Sequence, residues 1–278
     1  MSAVRVLQAI TSVRVGEGTA IGAVDLPLAR EPHTRWPFIP GSALKGSLRA
    51  RAEAIGSPDI HAAFGPRATD DGPAARGDLH IGDAVLLALP VRALRGTFVL
   101  LTCPLALARM ARGCGGAPAT LPTPGPDEVV AAPALADALR MQAAKVEIPG
   151  REPLDIAILE DLDWYLRRDP GVEAWSTWLA RWTGREAPVE RLAVVADDVF
   201  AHAAAAWTEV RIRNRIGADG VVEGGALFSA ELAPPETLWW WTVSGGHDAL
   251  LPAAGETFTV GGWQTVGMGR VAWYGEGG

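Results

Sequence analysis

With 278 residues, 49% of them hydrophobic, and a formal net charge of −7, the chain has the length and apolar content of one large folded domain with a genuine core. No apolar run reaches the roughly 18–20 residues of a membrane span. The N-terminus MSAVRVLQAITSV shows no basic segment leading into a signal-peptide core, so a cytoplasmic protein with no membrane partner is expected. Cys103 and Cys114 form no CxxC pair and no His/Cys cluster has zinc spacing, which argues for reduced thiols and against a zinc centre. The acidity is uneven: residues 1–56 carry +3, whereas residues 121–200 carry −7. Screening confines charge effects to roughly 8 Å at physiological salt, so a local basic surface for phosphates is compatible with an acidic chain.

Residues 3–15 are rich in β-branched side chains and read as a strand. Residues 16–40 form a long loop punctuated by glycine and proline, a length that is often functional inside a compact domain. A helix follows at 41–55, with Leu44 and Leu48 on one face and Ser42, Lys45 and Arg49 on another. After a loop at 57–78 come strands at 79–89 and 91–102 and a helix at 104–112. The Gly/Pro-rich stretch from 113 opens an acidic, Trp-bearing insertion that reaches about residue 190. A helix is expected at 192–206, and a hairpin at 207–230 with its turn at GADG. Strands are expected at 237–243 and 257–260, then a glycine-rich loop GGWQTVGMG (261–269) and a last strand RVAWY. This order suits an α+β, ferredoxin-like (RRM-like) sheet in a single domain spanning 1–278.

Two segments carry chemistry. In PFIPGSALKGSLRARAE (37–53), the helix start after Pro40-Gly41 offers free N–H groups to an anion, and Ser42, Lys45 and Arg49 share a face suited to phosphates; a plain solvated face is the alternative. In the C-terminal loop, Gly261, Gly262, Gly267 and Gly269 permit close backbone approach to a phosphate or base, although no GK[ST] follows and a simple hairpin explains them too. Arg211, Arg213 and Arg215 alternate along the hairpin, so they share a side of a strand; polyphosphate contact and a charged edge strand are the two readings. Most of the eleven tryptophans are assigned to the core, with Trp36 and Trp207 as candidates for base stacking.

Together these segments resemble the RAMP superfamily of CRISPR RNA-binding proteins. The stretches VDLPLAREPHTRWPFIPGSALKGSLR (24–49), LHIGDAVLLALPVRALRGTFVLLTCPLAL (79–107) and TEVRIRNRIGADGVVEGGALFSAELAP (208–234) are similar to the backbone subunit of type III-B effector complexes. The resemblance is weakest over 113–190. It implies copies stacked head to tail on a guide CRISPR RNA, beside other subunits of the complex. A thumb-like hairpin (207–230) would displace base pairs of the guide–target duplex, and complementary single-stranded RNA would be cut beside each displaced position. It carries the catalytic role onto Asp25, with Arg14 and Glu231 as the other members of the cleavage site. It carries guide-RNA contact onto Ser42, Lys45, Arg49 and the glycine-rich loop, and places Trp207, Arg211, Arg213 and Arg215 on the RNA-facing hairpin. A divalent metal ion, Mg or Mn, held by Asp25 is the expected cofactor. Three positions depart from the family: Arg14 replaces a frequent histidine, Ser229-Ala230-Glu231 replaces Tyr-Glu-Glu, and Met268 replaces a frequent lysine. Rival readings are a filament subunit that grips RNA without cutting it, an endonuclease processing precursor guide RNA through His33, and a nucleotide-binding enzyme using the glycine-rich loop.

Overall fold

The structure is a computed structural model that describes residues 3–16, 18, 24–67, 76–141, 145–146, 154–183, 188–214 and 227–275. Its first strand, β1 (Ala3–Ala9), is followed by α1 (Gly41–Ala54) and the short α2 (Ile60–Phe64). Next come β2 (His80–Ile81), β3 (Val85–Ala93), β4 (Thr97–Thr102) and α3 (Pro104–Cys114). The segment after α3 supplies β5 (Glu128–Ala131), α4 (Pro133–Leu139), β6 (Lys145–Val146), β7 (Leu154–Leu159), β8 (Leu162–Arg168) and α5 (Pro170–Thr183). The last part runs through β9 (Leu192–Val194), α6 (Asp197–Ala206), β10 (Glu209–Arg213), β11 (Phe228–Leu232), β12 (Leu238–Ser244), β13 (Thr257–Thr259) and β14 (Arg270–Gly275). Proline at the start of α3, α4 and α5 gives up an N–H that a helix leaves unpaired in any case.

Twelve strands form one mixed sheet in the order β13-β14-β1-β12-β3-β4-β9-β5-β8-β7-β6, with β2 added beside β12. Pairings β4–β9 and β5–β8 are parallel; the others in this sheet are antiparallel. A bridge from Ala93 to Leu159 brings β7 back onto β3, closing the second half of the sheet on itself. β1 lies inside the sheet, and the period of two in its side chains feeds two cores. Leu7 and Ala9 enter the core shared with Leu44 and Leu48 of α1 and Phe200 of α6. Val4 and Val6 enter the opposite core with Leu107 of α3 and Trp175, Trp178 and Trp182 of α5. That Trp series, at i, i+3 and i+7, stacks edge to face at 5.4 and 6.3 Å between successive rings. No helix among the described residues is long and apolar enough to cross a membrane.

Several element boundaries differ from the sequence reading. The first strand ends at Ala9, after which the chain makes only isolated bridges. The break between the paired strands falls at Leu94–Gly96 and not near Pro90, which sits inside β3 opposite Leu100. The turn is set by Gly96 and Thr97, both at positive φ (78° and 73°). The 57–78 loop contains α2, and the helix expected at 192–206 begins as strand β9. Segment 113–190 is woven into the sheet: β5 pairs with β9, and α5 packs on the main sheet beside Val4 and Tyr274. Its described elements are thus part of the sheet and of the core beside it.

Candidate nucleic-acid interface

The long loop after β1 is laid along β11. Leu26 bridges Ala230 in parallel, its N–H donating to the Ser229 carbonyl (3.1 Å) while its own carbonyl accepts from the Glu231 N–H (3.0 Å). Ser229 and Glu231 share one side of β11, and both hold the loop. Asp25 is exposed, and its Oδ2 accepts from the Ser229 N–H (2.7 Å) and hydroxyl (2.9 Å). These bonds, the backbone one first, hold the Asp25 carboxyl below the usual carboxylate range. Glu231 is buried. It forms an ion pair with Arg30, and accepts from the Leu28 N–H (3.0 Å) and the Thr208 hydroxyl (2.7 Å). The structure thus gives Glu231 the position of an anchor beneath the loop that presents Asp25.

The Ser229 bonds imply a pH signature. Because the Asp25 carboxyl is lowered in the folded protein, any function of its charged form persists above the ordinary carboxylate range and is lost as pH falls through the lowered value. Removing the hydroxyl by Ser229→Ala, with the backbone bond retained, should move the acid limb of an Asp25-dependent activity to higher pH. A superimposable pH profile for the two proteins would remove Ser229 from this role.

Arg14, Trp263 and Arg213 converge beside this loop. The guanidinium of Arg14 lies 5.0 Å from the Trp263 ring centroid and that of Arg213 lies 4.6 Å from it. Phe228, next to Ser229 in β11, has its ring centroid 6.1 Å from that of Trp263. Burial lowers the Arg14 pKa. The glycine-rich loop is pinned to the chain carrying Arg14: the Gly262 N–H donates to the Arg14 carbonyl and the Gly269 N–H to the Ser12 carbonyl, both at 2.9 Å. Gly261 and Gly269 have φ of 82° and 80°, and a Cβ on either would fall within about 2.2 Å of a backbone oxygen. Their glycine identity is explained by this packing. Gly267, also at positive φ, closes a turn with its N–H on the Gln264 carbonyl.

On the hairpin, Arg211 pairs with Glu209 and donates to the Ser12 hydroxyl (3.1 Å). It lies on the same strand face as Arg213. Arg215 and the GADG turn fall outside the described residues. Trp207 is half-buried, edge-on to His202 at 6.0 Å, and lines a cavity of about 520 Å³ with Pro90, Phe98 and Pro234. Trp36 does not fit the stacking expectation. It is 1% exposed and packs edge to face on Phe200 at 4.9 Å. Met268 is likewise buried in the core, so that position offers no surface to a phosphate.

The helix face divides. Ser42 and Lys45 line a cavity of about 440 Å³ with Arg76, His80, Gly82, Thr242 and Ser244, and among the described lining residues none is acidic. Arg49 is drawn away from it. Its Nε bonds Glu53 and its Nη1 bonds the Gly65 carbonyl, each at 3.0 Å. Arg67 first, then Arg49, hold the Glu53 carboxyl down at about 2. Spacing alone had placed Arg49 with Lys45; an i,i+4 acid and a nearby carbonyl take it instead. Lys45→Ala should weaken RNA binding and lower its logarithmic salt slope by roughly 1, whereas Arg49→Ala should leave the slope unchanged. Equal slopes for wild type and Lys45→Ala would put that cavity out of reach of RNA.

A divalent ion needs a different test. No group of three His, Cys, Asp or Glu side chains among the described residues is arranged to hold a metal. Asp25 is a single exposed carboxylate kept ionised by Ser229. That donor set fits a hydrated Mg²⁺ or Mn²⁺ that takes one carboxylate and completes its shell with water and substrate phosphate. It does not fit a dedicated all-protein cage.

Four partners were not singled out as site residues from sequence: Arg30 and Thr208 on Glu231, Ser229 on Asp25, and Trp263 between the arginines. Ser229 was visible only as a departure from the family. Trp263 carried a signal in its place among four glycines.

Residues 6–271 match the RAMP superfamily. The chain is 30% identical over 295 residues to the CRISPR system Cmr endoribonuclease Cmr4 of Pyrococcus furiosus, covering 95% of this chain and 92% of that protein. The crystal structure of oligomeric Cmr4 from Pyrococcus furiosus superposes with a TM-score of 0.72 at 24% identity, covering 98% and 96% of the two chains. A chain of the type III-B Cmr-beta complex bound to cognate target RNA, seen by cryo-electron microscopy, gives a TM-score of 0.70 at 18% identity over 99% and 96%.

Proposed function

The chain belongs to the RAMP superfamily as a Cmr4-like protein, and from that premise we propose that it is a target-RNA-cleaving backbone subunit of a type III-B CRISPR effector. It binds guide CRISPR RNA, stacks head to tail on further copies of itself beside other subunits, and cuts complementary single-stranded RNA at regular intervals. The order β14-β1-β12-β3, with antiparallel neighbours and α1 crossing from β1 to β3, is read as the ferredoxin-like core. The observation that carries the catalytic reading is the exposed Asp25 carboxylate fixed by Ser229 beside a cluster of two guanidiniums and two aromatic rings.

The reaction asks little covalent chemistry of the protein. The 2′-oxygen of one nucleotide attacks its own phosphorus. The bond to the 5′-oxygen of the next nucleotide breaks, leaving a 2′,3′-cyclic phosphate upstream and a 5′-hydroxyl downstream. The proton leaves the 2′-hydroxyl and one is taken up by the departing oxygen. Holding the strand so that attacking and leaving oxygens are in line supplies much of the acceleration. A divalent ion bound at Asp25 would neutralise phosphate charge. Asp25 suits a ligand better than a general base, because its carboxyl is already lowered by Ser229. Arg14 and Arg213 add positive potential to the same surface, and Lys45 with Ser42 suits the guide backbone across the molecule's α1 cavity.

The test is incubation of the assembled complex with labelled complementary RNA and Mg²⁺. Regularly spaced products bearing cyclic phosphates are expected. Binding without cutting would favour a purely structural filament subunit, a reading supported by the Ser229 bonds that already occupy Asp25 Oδ2.

A further inference from the structure

Trp263 is out of place by ordinary packing rules. It is only half-buried, whereas Trp36, Trp175, Trp239 and Trp241 are all buried in the core. Its φ of 63° lies in the left-handed region, where a bulky side chain is a rarity and is strained. The loop has glycine at its other positive-φ positions, 261, 267 and 269, so a glycine here would relieve the strain. The indole is instead held in place, with Arg14 at 5.0 Å, Arg213 at 4.6 Å and Phe228 at 6.1 Å. The backbone beneath it is locked by the Gly262 N–H on the Arg14 carbonyl. A strained, half-buried aromatic with two guanidiniums over its ring brings together groups that suit a nucleotide: an aromatic surface for a base, and guanidiniums that can turn to its phosphates.

We propose that Trp263, with Arg14, Arg213 and Phe228, forms a stacking site for one unpaired nucleobase of the target RNA next to the Asp25 cleavage position. Phe228 pairs with Trp263 from the β11 face it shares with Arg213, and Ser229, the next residue along the strand and on its other face, holds the Asp25 carboxylate. A base stacked on this layer fixes the adjoining phosphate relative to Asp25, so Trp263 is a positioning residue and not a catalytic one. The inference rests on the proposed RNA-cleaving role.

The experiment uses the assembled complex containing wild-type chain, Trp263→Phe or Trp263→Ala. Each is assayed for binding and cleavage of complementary RNA, either intact or carrying a single abasic residue stepped through the nucleotides around each cut. On intact RNA, Trp263→Ala should lose about tenfold or more in affinity or cleavage rate, as expected for one lost base stack, and Trp263→Phe should recover most of it. At one abasic register per cut, wild type and Trp263→Ala should become equal. An equal loss by Trp263→Ala on intact and all abasic RNAs would make Trp263 a structural clamp on the hairpin and overturn the stacking site, as would no loss at all. A wild-type complex that neither binds nor cuts complementary RNA would overturn the underlying functional reading, a result separable from the others.

Discussion

Asp25→Ala is expected to abolish cleavage of complementary RNA while leaving complex assembly and target binding intact. The two halves of this expectation have separate causes. Asp25 is exposed in a loop whose attachment to β11 runs through the Leu26 backbone and Glu231. Its loss should cost little stability, as for other exposed side chains, beyond the modest worth of its Ser229 bonds. Among the described residues no other carboxylate is joined to Ser229, and Glu231, on the same side of β11, is buried and committed to Arg30, Leu28 and Thr208. Removing this exposed carboxylate should therefore lower the rate by on the order of 10²-fold or more. Cleavage ladders and filter-binding curves from matched complexes measure both halves. Equal ladders would sink the assignment of Asp25.

Glu231→Ala is expected to destabilise the protein by about 3 kcal/mol, because it leaves Arg30 buried without its carboxylate and also strips acceptors from the Leu28 N–H and the Thr208 hydroxyl. The side chains are only 9% and 8% exposed, so water compensates poorly. Arg30 retains bonds to the carbonyls of Arg35 and Ala204, which keeps the loss toward the lower end for a broken buried pair. Glu231→Gln should lose less, since an amide oxygen still accepts from Leu28. Denaturant unfolding of the three proteins checks the order. A fully stable Glu231→Ala that nevertheless fails to cut RNA would favour a direct chemical role for Glu231 over a role as anchor.

The parts of this molecule that sequence revealed were those written in local patterns. The helix at α1 follows from its Leu44–Leu48 spacing, and the pairing of β10 with β11 from the alternating residues of these two segments. The site loop was visible from its length and punctuation. What escaped was set by partners distant in sequence. Spacing put Arg49 on Lys45's face but carried no word of the Gly65 carbonyl that captures it. Trp36 lay in a promising motif, and only the packing of Phe200 against it shows that it is core. Ser229 read as a loss relative to the family; the fold makes it the residue that holds Asp25. The sharp change of composition marks out the acidic 113–190 stretch but does not say where its elements pack. Its strands nevertheless complete the sheet, and its Trp-bearing helix covers one face of β1.

The central claim is that this chain lines a guide RNA and presents complementary RNA to Asp25. Sequencing the RNA that co-purifies with the complex tests it most directly. The account predicts a set of guide RNAs of uniform architecture sharing a fixed 5′ tag, depleted when Lys45 is replaced by Ala. A heterogeneous sample of cellular RNA without a common tag, or no RNA at all, would contradict it.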